Sequence, residues 1–246
     1  MRSVLLTGFE PFAGERLNPS AQIAEALDGR EIAGHRVRGV ILPCAFGESR
    51  RALLRALRSV EPALVICTGQ AGGRAHLTPE RVAINLDDAR IPDNRGAQPS
   101  DRPIVRAGPA AYWSSLPVKA IVAALQARGL PASVSHSAGT YVCNHVFYSL
   151  MHELARLGGV GARRRPGSVR AGGQRRPTPT PGPKEVPAAG VPRGGFIHVP
   201  WLPEQAATRP GEPSLPLAAM IKGIALAIAT GLSTHRDLRA EGGPEH

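Results

Sequence analysis

Cys143 stands where a β-rich run over residues 132–141 gives way to an apolar pattern of helical period over 144–157. A thiol at that junction faces the open start of a helix. The unpaired N–H groups and positive dipole end found there favour thiolate over thiol, which makes a nucleophile of an ordinary cysteine. Two further residues have the chemistry such a sulfur needs. His198 lies in the short apolar segment 195–200, and Glu80 follows the glycine-rich stretch 69–73. Together they permit a Cys-His-Glu triad of nucleophile, general acid/base and tautomer-fixing carboxylate. Each has a plainer reading: a buried inert thiol, a satisfied core histidine, a turn-capping carboxylate. Cys67, inside the apolar run 64–67, is expected to be such an inert thiol. Cys44, after Leu42 and Pro43, fits either description.

The elements that must position these residues alternate in type. Residues 4–7, 37–42, 64–68, 133–137 and 196–199 read as strands, several apolar enough to be covered on both faces. Between them, 46–60, 118–128, 144–157 and 215–230 repeat apolar residues at helical spacing. Asn18 with Pro19 marks a helix start, and Asp28 with Gly29 its end. This βαβ alternation predicts a mainly parallel sheet covered by helices. In such folds sites form beyond the carboxyl ends of strands, where the glycine-rich segments 7–14 and 68–73 fall.

Composition narrows the class. The 246 residues suit one large domain, and with 4% aromatic content its core must be mostly aliphatic. Three widely spaced cysteines form no disulfide framework, which fits a reducing cytoplasm. The first apolar run is too short for a signal peptide, and 215–230, interrupted by Lys222, falls short of a membrane span. The formal charge of +11 is concentrated in residues 158–193, which carry a net +7 with 8 glycines and 7 prolines. So few large apolar side chains cannot offset the entropy of ordering, and a disordered basic insertion is expected there, with a flexible tail over 234–246. The insertion lacks the interleaved aromatics that stack on bases, which argues against nucleic acid as its partner.

Five segments resemble pyroglutamyl-peptidase I, the pyrrolidone-carboxylate peptidase family of cysteine peptidases. They are Leu6-Thr7-Gly8-Phe9-Glu10-Pro11-Phe12, Thr68-Gly69-Gln70-Ala71-Gly72-Gly73-Arg74, Thr78-Pro79-Glu80-Arg81-Val82-Ala83-Ile84-Asn85, Ala138-Gly139-Thr140-Tyr141-Val142-Cys143-Asn144-His145 and Phe196-Ile197-His198-Val199-Pro200. The resemblance runs from residue 3 to about 157 and resumes over 194–231. It implies a three-layer α/β/α sandwich formed by 1–157 and 194–233, a cytoplasmic location and a homotetramer. It also implies removal of an N-terminal pyroglutamyl residue from peptides, with Cys143 as nucleophile, His198 as acid/base and Glu80 as orienting acid. Phe9, Phe12, Tyr141 and Val142 correspond to positions that hold the substrate ring, and Gln70 is a candidate for the lactam. The bland reading of Phe9 and Phe12 is that they fill the gap between sheet and helix. The tetrahedral oxyanion needs donors, for which the Cys143 N–H and Arg90 are candidates.

Some features depart from the family pattern or point elsewhere. The interval from Cys143 to His198 is 55 residues, lengthened by the basic insertion, and loop-closure entropy makes that extension tolerable. Ala13 replaces a common glycine and Trp201 a common phenylalanine. A weakened relative that binds nucleic acid or an acidic surface through its insertion is an alternative; a phosphorylase-like transferase is another, though it leaves the three triad residues without roles. No cofactor and no metal are expected. His76, His136, His145 and His152 match no zinc spacing, and the glycines of 69–73 lack a P-loop lysine.

Overall fold

The computed structural model describes residues 2–161 and 190–239. Eight strands are present: β1 (Ser3–Phe9), β2 (Glu31–Ile32), β3 (His35–Leu42), β4 (Leu64–Gln70), β5 (Thr78–Pro79), β6 (Val82–Ile84), β7 (Ala111–Trp113) and β8 (Arg193–Val199). The helices are α1 (Pro19–Leu27), α2 (Glu48–Val60), α3 (Val118–Gln126), α4 (Val142–Gly161), α5 (Pro203–Ala206) and α6 (Leu217–Ser233). The main sheet has the order β2-β3-β1-β4-β8-β5, and β6 pairs with β7 separately. Its centre is parallel, β3 to β1 to β4 to β8, while the short edge strands β2 and β5 run antiparallel.

The central strands bury side chains on both faces, so they read as apolar runs without alternation. Leu64, Ile66 and Ile197 point to one side, where Ile23 and Leu27 of α1, Ile121 and Leu125 of α3 and Ile224 and Ile228 of α6 pack. Leu5, Val65, Cys67 and Phe196 point to the other, against Leu53 and Leu57 of α2 and Val146, Phe147, Leu150 and Leu154 of α4. The result is the three-layer α/β/α arrangement. Chain order reverses across β1 and β4, which places a crevice beyond their carboxyl ends.

Helix ends follow local chemistry where the chain supplies it. Asn18 Oδ1 accepts from the Ser20 N–H at 3.0 Å, with Pro19 in the first turn, and the helix stops at Asp28 before Gly29 at φ 73°. α2 begins two residues later than its apolar period suggests, because Gly47 takes φ 70°, outside helical space.

Three expectations change. Residues 133–137 form no strand: rungs join Leu77 to 131 and 133, and Ser135 to Pro79 and Arg81, but the rung between them is missing. Proline 79 stands where an N–H would donate to the Ser133 carbonyl, so only isolated bridges remain. Both edges of the segment 158–193, expected to be a disordered insertion, belong to regular elements. α4 continues to Gly161 and β8 starts at Arg193, whose guanidinium donates to the Gly231 and Thr234 carbonyls at the end of α6. A glycine costs a helix only about 1 kcal/mol, and Gly158 is carried within α4. The remainder of 158–193 lies outside the described residues, as does the tail beyond 239.

Within the expected flexible tail, Asp237 is docked. Its carboxylate accepts from the Lys119 and Ala120 N–H groups at 3.1 and 2.9 Å, capping α3, whose own N-cap residue is Pro117 and offers no side-chain bond. Asp237→Ala is expected to lower stability by about 1 kcal/mol, the usual worth of a cap. Chemical denaturation of the two proteins reads it, and an unchanged midpoint would contradict the capping role.

Candidate active site

The crevice gathers side chains from β4, β8, β5 and the start of α4. The His145 N–H bonds the Tyr141 carbonyl at 3.1 Å, so Cys143 occupies the first turn of α4, whose N–H groups have no intrahelical acceptor. The sulfur lies over Gly69 near the end of β4: a Cβ added there would stand 2.7 Å from Cys143 Sγ and 2.8 Å from Phe196 Cζ. Glycine is therefore required by the approach of the thiol to the sheet. Gly69 is the register partner of His198 on β8, so sulfur and imidazole sit over adjacent strands on one face.

Glu80 reaches the same place by a different route. Thr78 pairs with His198 across the antiparallel β5–β8 edge, and the Glu80 N–H continues the ladder to the Phe196 carbonyl at 2.9 Å. Its Oε1 then accepts from His198 Nδ1 at 2.7 Å. With the Nδ1 proton committed to the carboxylate, Nε2 is the nitrogen free to exchange a proton. Arg74 Nη1 also bonds Glu80 Oε1, at 2.7 Å, and Nη2 donates to the Ser137 carbonyl at 3.0 Å. Sequence reasoning missed Arg74, although it closes the glycine-rich loop six residues before Glu80. It also missed Asn144, whose amide donates to Ile84 and Leu86 carbonyls and accepts from the Ile84 N–H, tying α4 to the following loop.

Electrostatics modify the expectation of a resting thiolate. Burial pushes the Cys143 thiol up, and nearby Cys44 and Glu80 push it the same way, against Arg74. Burial pushes His198 down from 6.5, opposed by the Glu80 hydrogen bond and charge. For Glu80 burial acts upward but is outweighed by His198, Ser135 and Arg74, and the carboxyl stays below its usual 4.5. These shifts all favour a protonated thiol, a neutral imidazole and a charged carboxylate. Cys67 is fully buried and raised to about 12 by that burial, in keeping with an inert thiol.

The pH dependence follows. An imidazole lowered by folding binds fewer protons than the unfolded chain just below 6.5, so both stability and the proton-accepting form are complete above 6.5 and are lost as pH falls through the lowered value. The acid limb of kcat/KM is expected below 6.5, and no basic limb within the ordinary thiol range around 9.0. A rate profile that closes below pH 9 would instead indicate a thiolate–imidazolium pair.

The remaining sequence candidates separate. Phe9 is 2% exposed and packs on Phe196 with ring centroids 6.4 Å apart, as a residue filling space between sheet and helix does. Phe12 and Tyr141 are half-buried with centroids 6.1 Å apart, and Val142 is buried beside Cys143. Gln70 belongs elsewhere: strand alternation turns it to the face opposite Gly69, where its Oε1 accepts from Gln205 Nε2 at 3.2 Å. Arg90 is exposed, and its loop is pinned to the segment before Cys143 by Asp88 N–H to Thr140 O at 3.0 Å and Thr140 Oγ1 to Asp88 O at 2.7 Å. Trp201 lies over Gly72, bonds Glu212 through its indole N–H and carries the Arg209 guanidinium 4.4 Å from its ring centroid. Among the described residues no cluster of three metal-ligating side chains occurs, and no helix is long and apolar enough to cross a membrane.

An α/β protein that brings a thiol, a carboxylate-held imidazole and a helix N-terminus to one crevice has the parts of a thiol-dependent acyl-transfer enzyme. The chain belongs to the pyroglutamyl peptidase family, whose profile matches residues 2–163 and 187–234. It is 50% identical over 246 residues to a pyrrolidone-carboxylate peptidase of Cupriavidus taiwanensis and 50% identical to one of Klebsiella pneumoniae, covering 100% of both chains in each case. Among solved structures it resembles pyroglutamyl peptidase I of Bacillus amyloliquefaciens, with TM-score 0.82, 40% identity and coverage of 98% of this chain and 99% of that one. A pyrrolidone carboxyl peptidase of Pyrococcus furiosus aligns with TM-score 0.79 and 37% identity over 94% of this chain and 98% of its own.

Proposed function

We propose that this protein is a cysteine exopeptidase that removes N-terminal pyroglutamate from peptides. The observation that carries the chemistry is the shared crevice: Cys143 Sγ over Gly69, and the register partner of Gly69, His198, held by Glu80 at 2.7 Å. The substrate class comes from the family and from relatives that match over their whole length.

Cys143 Sγ attacks the carbonyl carbon of the pyroglutamyl–X bond as its proton passes to His198 Nε2. The carbonyl electrons move onto oxygen, which the Cys143 N–H in the first helical turn is placed to stabilise, with Arg90 as the second candidate. Collapse breaks the C–N bond, His198 returns the proton to the leaving amine, and pyroglutamate remains as a thioester. Water, giving a proton to the same nitrogen, hydrolyses the thioester and restores the thiol. Glu80 stays charged throughout and stabilises the imidazolium formed in each half.

The substrate ring is a neutral lactam without an ammonium group, so its site needs apolar walls and amide partners rather than a carboxylate anchor. Phe12, Tyr141 and Val142 supply such walls beside the sulfur. With Gln70 turned toward Gln205, the lactam partners in this reading are backbone groups of the crevice. A cytoplasmic homotetramer is part of the same proposal, and light scattering of the purified protein reads its assembly. The direct test is release of a fluorescent amine from pyroglutamyl, prolyl and glutamyl amides under reducing conditions. Turnover confined to the pyroglutamyl amide is expected; equal turnover of the prolyl amide would remove the lactam specificity.

A further inference from the structure

His145 is a buried residue without a part in the chemistry just described, and its ring is held at both nitrogens. Nδ1 lies 2.9 and 3.1 Å from the two Asp87 carboxylate oxygens, and Nε2 lies 3.2 Å from the Gly47 backbone nitrogen. A backbone N–H only donates, so Nε2 is an acceptor and the ring proton sits on Nδ1, donated to Asp87. The tautomer is set by its surroundings, and the ring bridges three segments distant in sequence: the start of α4, the loop from 85 to 102, and the turn before α2.

Those segments also build the aromatic wall beside Cys143. The His145 ring meets the Phe46 ring edge-on at 5.5 Å, and Phe46 meets Tyr141 edge-on at 5.5 Å. Tyr141 then packs on Phe12, and its hydroxyl donates to the Pro92 carbonyl at 3.0 Å. Phe46 is held from the other side by its own N–H to Asp93 Oδ2 at 2.7 Å. Gly47, with φ 70° and no side chain, has only its backbone through which this turn is fixed there. A histidine that merely filled space would not need an acceptor on that N–H and a donor to a buried carboxylate at once.

We infer that His145, clamped between Asp87 and the Gly47 N–H, is a positioning residue that sets the Phe46–Tyr141 wall against which the substrate ring binds. This rests on the reading of the crevice as a pyroglutamyl site. Cys143 is anchored independently through the Asn144 bonds to Ile84 and Leu86, so loss of the clamp loosens the wall and leaves the nucleophile in place. The effect therefore falls on binding more than on the chemical step.

Three variants separate the two nitrogens. His145→Ala removes both bonds, His145→Asn keeps a donor for Asp87, and His145→Gln carries an amide oxygen out to the position that accepts from Gly47. Steady-state kinetics on the pyroglutamyl amide should show KM raised about tenfold in the alanine variant with kcat within about threefold, the size expected for one lost buried hydrogen bond. Glutamine should return KM close to wild type, and asparagine should not. Hydrogen exchange of the Gly47 amide is read on the same proteins without substrate, with protection lost in alanine and asparagine and regained in glutamine. An unchanged KM, a fall in kcat alone, or rescue by asparagine as complete as by glutamine would overturn the inference. If the wild type fails to turn over the substrate, the functional reading falls, and the Gly47 amide decides the clamp alone: unaltered protection in the variants refutes it. Should the alanine protein not fold, asparagine against glutamine makes the same contrast.

Discussion

Cys143→Ala is expected to abolish release of amine from a pyroglutamyl amide while leaving the far-ultraviolet circular dichroism spectrum unchanged. Without the sulfur no thioester forms, and the loss should reach about 10⁴-fold or more, as for other residues that act as a covalent unit. The fold should tolerate the change, because Cys143 is half-buried on a helix whose first turn is fixed by the Asn144 side chain. Turnover within tenfold of wild type would remove Cys143 from the mechanism. Alkylation gives a companion measure: Cys143 should label faster than Cys67, which is fully buried, and its rate should keep rising past pH 9.0 because burial raises this thiol. Mass spectrometry of labelled peptides resolves the two sites, and equal rates would argue against an accessible nucleophile.

Glu80→Gln is expected to have the next largest effect, lowering kcat by about 10²–10⁴-fold. Glutamine preserves shape, and its amide oxygen can still accept from His198 Nδ1. It carries no charge, however, so the imidazolium formed at each proton transfer loses its partner. Arg74, whose Nη1 bonds the same oxygen at 2.7 Å, is left as an uncompensated cation beside that imidazolium. The carboxylate is completely buried, yet Arg74 is 28% exposed and water relieves part of its charge. Destabilisation should accordingly stay near about 1–2 kcal/mol, the range for an unpaired partly buried group. If kcat changes by less than about threefold, the carboxylate is only a structural cap. Arg74→Met should lower kcat less than Glu80→Gln does, since Glu80 remains and its charge still faces His198.

Much of this site was legible from short segments of chain. A proline in the first turn after asparagine, apolar repeats of helical period and runs of β-branched residues are local properties, each set by neighbours within a few positions. They placed α1 at its observed cap and four central strands in the sheet. Cys143, His198 and Glu80 were readable as candidates too, because residue type limits which groups could serve as nucleophile, base and orienting acid. Locality also explains the errors. The 133–137 segment has strand composition, but its ladder is interrupted by a proline on a different segment. The helical period read over 144–157 stops short of α4's end at Gly161, and Asp237, near the chain's end, caps a helix 117 positions earlier through Ala120.

What the amino-acid sequence determined by itself was the alternation of elements, the candidate residues of the site and the chemistry their types would allow. What only the tertiary structure decided was orientation and charge. Gln70 and Gly69 are neighbours in sequence, yet strand alternation sends one to Gln205 and the other under the Cys143 sulfur. The helix start favours a thiolate in the abstract, while burial beside Glu80 and Cys44 pushes the Cys143 thiol up. Both outcomes depend on which groups come within a few ångströms across the sheet. Desolvation and Coulomb interaction act through space, and no local pattern in the chain encodes those distances.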